Sequence, residues 1–188
     1  MAEDHLTRPI SPYAIGKLTI ENYLRYFRAA KGLEYTAFRI SNPYGPRQPR
    51  NRTQGLIPIV LRRFAGGQPA LRFGDGSMIR DYIFVEDLMA RIVSAVGVPN
   101  GSQIYNLGSG VGHTLNDVLT TIETVIGTPL DIVETAVPQA FVSRVVLDTS
   151  RFESEFGAMP LMPLAAQRRW RAVGVENMGR VAFQSLAR

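Results

Sequence analysis

Ser11-Pro12-Tyr13-Ala14-Ile15-Gly16-Lys17 is the stretch that decides how this chain is read. Ser11 is a favoured N-cap and Pro12 suits the first helical position, so a helix opens here. It is expected to run to about Lys31 and to stop at Gly32, a residue type favoured just beyond helix ends. Tyr13 and Lys17 stand four residues apart, which places a phenol and an ammonium on one helix face. The neighbouring positive charge favours the phenolate and predicts a lowered tyrosine pKa, as a general base requires. Such a pair suits removal of a hydroxyl proton while a hydride leaves the same carbon. The spacing alone carries little weight, because an amphipathic helix can pack the tyrosine and leave the lysine in solvent.

Outward from this helix, Tyr35-Thr36-Ala37-Phe38-Arg39-Ile40 reads as a strand ended by the turn-rich Asn42-Pro43-Tyr44-Gly45-Pro46. An arginine-rich loop, a helix over 57–65 and a short strand, Leu71-Arg72-Phe73, come next. After the Gly74-Asp75-Gly76 turn, Tyr82-Ile83-Phe84-Val85 reads as a strand and is followed by a helix reaching Val96. Ile104-Tyr105-Asn106-Leu107 is a further strand. Thr114 and Asp117 make a capping box for a helix ending near Gly127. Leu130-Asp131-Ile132-Val133 is expected as another strand, with a short helix from about Thr149. Strands separated by helices indicate an α/β protein.

With 188 residues, 45% hydrophobic and 20% charged, the composition is that of a globular domain with a sizeable core. No apolar run approaches the roughly 20 residues needed to cross a bilayer, and Met1-Ala2-Glu3-Asp4-His5 does not read as a signal peptide. The chain has no cysteine, which removes disulfides and thiolate chemistry and fits a cytoplasmic setting. No metal-ligand pattern is present. The net charge of +5 comes partly from Arg47, Arg50, Arg52, Arg62 and Arg63 and partly from a basic tail over 166–188. Without interleaved aromatics or a recognised nucleic-acid module, the first cluster suits a diphosphate-bearing ligand at least as well as a polynucleotide.

The other motifs fall in a fixed order. Arg39-Ile40-Ser41-Asn42-Pro43-Tyr44-Gly45-Pro46-Arg47 follows the first strand, and Arg80-Asp81-Tyr82-Ile83-Phe84-Val85-Glu86-Asp87 follows Gly74-Asp75-Gly76. Tyr105-Asn106-Leu107-Gly108-Ser109-Gly110 comes after these. In this order and spacing the chain resembles the C-terminal part of the NAD-dependent epimerase/dehydratase family. These are extended short-chain dehydrogenases acting on nucleotide-sugars, with UDP-glucose 4-epimerase the best-known member. The resemblance covers residues 3–156. It implies Tyr13 as catalytic base, Lys17 as the residue holding the nicotinamide ribose, and Pro43 beside the nicotinamide of NAD. It further implies substrate contacts at Asn42, Leu56, Leu71, Phe73, Arg80 and Arg144, with Asn42, Arg80 and Arg144 directed at the diphosphate. Asp148 is implied as structural, and Asp81 and Asp87 are expected as caps and ion-pair partners.

The implied fold is the C-terminal part of a Rossmann-type doubly wound parallel sheet, interleaved with a small α/β substrate-binding domain. Residues 11–46 and 81–110 are assigned to the first, and 47–80 and 111–165 to the second. In the family the glycine-rich loop that holds the pyrophosphate lies far upstream of the tyrosine, and only twelve residues precede Tyr13 here. The main pyrophosphate-binding loop is thus expected to be absent from this chain. Gly108-Ser109-Gly110-Val111-Gly112 imitates such a loop, yet His113 occupies the third glycine position. Three functions follow: an NAD-using epimerase or dehydratase of UDP- or dTDP-sugars, inactive alone; a non-catalytic relative that binds nucleotide-sugar or dimerises; and, from charge only, a basic nucleic-acid module. Association into a homodimer through the Tyr13 helix is expected in the first two.

Overall fold

The computed structural model describes residues 1–46, 48, 55–101, 103–137 and 142–166. The basic tail beyond 166 and Arg47, Arg50 and Arg52 of the arginine cluster lie outside the described residues.

Helix α1 (Pro12–Lys31) starts as its sequence dictates: Ser11 Oγ accepts the Ala14 N–H at 3.2 Å, and Gly32 ends the helix in the left-handed region. Then come β1 (Ala37–Ile40), β2 (Asn42–Tyr44), α2 (Leu56–Ala65), β3 (Ala70–Phe73), β4 (Ile79–Phe84) and α3 (Val85–Ala95). The remaining elements are β5 (Ile104–Leu107), β6 (Gly112–Thr114), α4 (Leu115–Ile126), β7 (Ile132–Thr135), β8 (Arg144–Val145) and α5 (Ser150–Phe156). The capping box of α4 forms, with Thr114 and Asp117 exchanging side-chain and backbone bonds at 3.0 and 2.8 Å.

Among the described residues the strands form three small sheets. β1 pairs with β5 and β3 with β7, both in parallel. β4 is the centre of the third: its first half is flanked by antiparallel β6 and parallel β8, its second half by parallel β2. The sequence reading treated 42–46 as a turn and missed β6 and β8. Pro43 cannot donate to a ladder, but among the described residues β2 pairs only with β4, and an edge strand tolerates it. Strands of two or three residues are too short to show a period of two. β7 lies two residues beyond the expected 130–133, because Leu130 leaves the strand to be buried against α4.

Two hydrophobic clusters hold these elements. The larger joins α2, α4 and β3 to Tyr82 and Phe84 of β4. The smaller places Ile83 of β4 with Leu88 and Ala95 of α3, Tyr105 and Leu107 of β5, and Phe152 of α5. α5 thus packs against residues of the segment 81–110. Across the other face of β1, Arg39 forms a two-pronged bond to Glu21 of α1 at 2.8 and 2.7 Å, which raises the Arg39 pKa. No residue of α1 is buried, and Ile20, Tyr23, Tyr26 and Phe27 stand exposed.

Phe152 makes tilted or edge contacts with Phe38, Tyr105 and Phe156. Its truncation to alanine should cost about 3–5 kcal/mol, seen as a lower urea midpoint. The same change at exposed Tyr26 should stay within about 0.5 kcal/mol.

Candidate active site

A cavity of about 370 Å³ lies between β3, β4, the first turn of α2 and the edge of β2. Leu71 and Phe73 reach it from β3, where a period of two places both on one face. Arg72 between them turns away to pair with Glu134 at 3.0 Å. Leu56 enters from the opening of α2, whose N-cap Gly55 has φ 93° and offers no side-chain cap. Asn42 and Arg80 supply polar groups. Five of the six residues singled out as substrate contacts in the sequence thus line one space.

Arg80 is the electrostatic feature of this cavity. Its guanidinium donates to the Ile79 carbonyl at 2.8 Å, and among the described residues it has no carboxylate within 4 Å. Burial pulls its pKa below the ordinary arginine value, while Tyr82 opposes the shift. A half-buried cation facing a cavity without an anion is an invitation to one. Asn42 is oriented by donation from Nδ2 to the Asp81 carbonyl at 2.8 Å. Ile59, Val60, Met78, Tyr82 and Leu115 complete the lining and were not anticipated. Tyr82 was legible in principle, since it follows Arg80 by two positions on the same strand.

Arg144 is placed elsewhere. In β8 it registers with Ile79, and Val145 registers with Arg80. Paired residues share a face, so the Arg144 side chain stands opposite to Arg80, near Gly112 and Val146. It lines a separate cavity of about 460 Å³ with Asp148 and Glu153. Pro43, next to Asn42, likewise opens to the other side of β2, into a cavity of about 700 Å³ beside Val85 and Met89 of α3. Tyr13 and Lys17 lie on the solvent side of α1, with Lys17 Nζ 5.4 Å from the Tyr13 ring centroid and Tyr13 70% exposed. Neither lines the Arg80 cavity.

Two aspartates differ from their expected part. Asp87 accepts the Met162 N–H at 2.7 Å, and Asp81 accepts the Ser109 N–H at the same distance. Neither is in an ion pair among the described residues. Asp148, expected as structural, accepts the Ser150 N–H at 3.0 Å. No cluster able to hold a metal occurs among the described residues, and no described helix is long and apolar enough to cross a membrane.

The model of the family described as "NAD dependent epimerase/dehydratase family" matches residues 1–108, which include Tyr13, Lys17, Asn42, Pro43 and Arg80. The chain belongs to this family. A UDP-glucose 4-epimerase of Mycolicibacterium smegmatis is 35% identical over 165 residues, 87% of this chain and 52% of that protein. The crystal structure of UDP-glucose 4-epimerase with UDP-glucose from Thermotoga maritima superposes with a TM-score of 0.85 at 29% identity. It covers 97% of this chain and 58% of its own. The Thermus thermophilus UDP-glucose 4-epimerase complex with NAD gives 0.81 at 26% identity, covering 94% and 57%. The fold is therefore the Rossmann-type α/β fold of these enzymes, and the chain spans about half the length of the relatives it matches. Arg144 falls outside the family match.

Burial raises both Tyr44 and Tyr82 from 10.0 to about 12, with Asp87 adding to the first shift and Arg80 opposing the second. Well below pH 10 both phenols are neutral whether the chain is folded or not. Between 10 and 12 the unfolded chain loses these protons first, so stability should fall as pH rises through that window. Urea unfolding across it checks this, and Tyr82→Phe should flatten the decline.

Proposed function

We propose that this chain carries the sugar-binding side and the catalytic pair of an NAD-using nucleotide-sugar epimerase or dehydratase, similar to UDP-glucose 4-epimerase. The observation that carries the reading is the cavity in which Arg80, without a counter-ion among the described residues, faces Asn42, Leu56, Leu71 and Phe73. A nucleotide diphosphate matches it: an anion for the guanidinium fork and a flat base for the apolar walls. Arg144 is proposed to act on a ligand portion reaching past β8 and not beside Arg80.

Tyr13 takes the proton of a sugar hydroxyl as its carbon is oxidised, and returns it when the carbonyl is reduced. Lys17 keeps a positive charge one turn away and would hold a ribose hydroxyl, and Pro43 borders the cavity of about 700 Å³ beside α3. By resemblance to the family these three residues would hold the nicotinamide end of NAD, which supplies the hydride acceptor and donor when bound. The glycine-rich loop at 108–112 does not fit its pyrophosphate, since the amides of Ser109 and Gly110 are taken by Asp81.

Calorimetry with UDP-glucose and dTDP-glucose tests the cavity. Arg80→Leu should weaken binding about tenfold or more, the worth of a charged hydrogen bond. Absence of binding by the unaltered chain sinks the reading. In a protein complete enough to turn over, Tyr13→Phe should lower kcat by about 10²–10⁴.

Association is proposed through α1, whose Ile20, Tyr23 and Phe27 recur at helical spacing on the exposed surface. Sedimentation should show self-association that Tyr23→Glu reduces. A monomer at all concentrations overturns this point.

A further inference from the structure

The glycine-rich loop after β5 does hold an anion, and the anion is the protein's own. Asp81 is completely buried, with no cation within 4 Å among the described residues. Its Oδ1 accepts the Ser109 N–H at 2.7 Å and the Ser109 hydroxyl at 2.8 Å. Its Oδ2 accepts the Gly110 N–H at 3.2 Å and the Leu147 N–H at 3.3 Å. A Cβ on Gly108 would collide with the same carboxylate, so only glycine permits the approach. On the far side, buried Arg91 donates to the Gly108 carbonyl at 3.2 Å. The loop is thus clamped by a carboxylate on its amides and a guanidinium on its carbonyl.

The backbone of the same aspartate serves the cavity. Its carbonyl orients Asn42, and the residues on either side, Arg80 and Tyr82, line the cavity from the opposite face of β4. We propose that Asp81 is a positioning residue for the three polar groups of the nucleotide-sugar cavity. Its carboxylate stands where a phosphate would in a glycine-rich loop. By binding donors from two other segments it fixes the β4 backbone, and through it Asn42, Arg80 and Tyr82. It touches no ligand. The inference rests on the reading of that cavity as a nucleotide site.

Removing the side chain leaves three amides and a hydroxyl converging on a space of carboxylate size, which formate fits. Asparagine fills the space but turns an NH2 toward the amide donors of one side. Asp81→Ala should bind UDP about tenfold or more weakly by calorimetry, and excess formate should restore most of that loss. Asp81→Asn should also bind weakly, without rescue, and with an unchanged circular dichroism spectrum. Unaltered affinity in Asp81→Ala, or formate that raises its melting temperature but not its affinity, overturns the proposal. If Asp81→Ala does not fold, Asp81→Asn decides: normal affinity overturns it. If the unaltered chain binds no UDP, the nucleotide reading fails by itself. The Asn42 side-chain amide resonance then decides, and an unshifted signal in Asp81→Asn overturns the positioning role.

Discussion

The register of β4 is the constraint on which the rest of the structure depends. Over its first half both edges of this strand are occupied, by β6 and β8, and over its second half β2 holds one edge. Its side chains are committed in alternation. Tyr82 and Phe84 enter the larger core, Ile83 the smaller, and Asp81 the loop after β5. A slip of one residue would carry Arg80 into the place of a buried carboxylate and strand the amides of Ser109, Gly110 and Leu147. Polar specificity on one face and packing on both leave a single solution. The cavity is a by-product of that solution: Arg80 faces it because Asp81 cannot.

Much of this was legible in the residues. The N-cap at Ser11, the capping box at Thr114 and the order of the motifs give the helices and the family, because each depends on local chemistry or on a long ordered pattern. Leu71 and Phe73 were named together because of the resemblance to the family, and the alternation of β3 places both on the cavity side. That Arg144 lines a different cavity from the other five was not legible, for the opposite reason. β8 has two residues, and the face each presents is set by pairing with Ile79 and Arg80 some 65 positions earlier, about which the local sequence says nothing. Likewise, Asp81 looks like a partner for a cation in a chain rich in arginine. Only the folded chain reveals that backbone amides from two distant segments reach it first.

Three arginines illustrate how context separates structural from chemical use. Arg39 is bound by both oxygens of Glu21, and Arg91, only 1% exposed, is bound by Glu153 at 2.7 Å and lies over the Phe152 ring. Each is neutralised by a carboxylate and fixes one element to another. Arg80 has a carbonyl oxygen in place of a carboxylate, and open space beside it. Residue type is the same in all three; the missing counter-charge marks the one at the cavity.

Asn42 and Pro43 share a peptide group yet border different chambers, one on each side of β2. Three residues pair that strand with β4, so the two chambers share one short, hydrogen-bonded wall. A shift of that wall caused by an occupant of one chamber would be felt by an occupant of the other, and by thermodynamic reciprocity to the same degree in each direction.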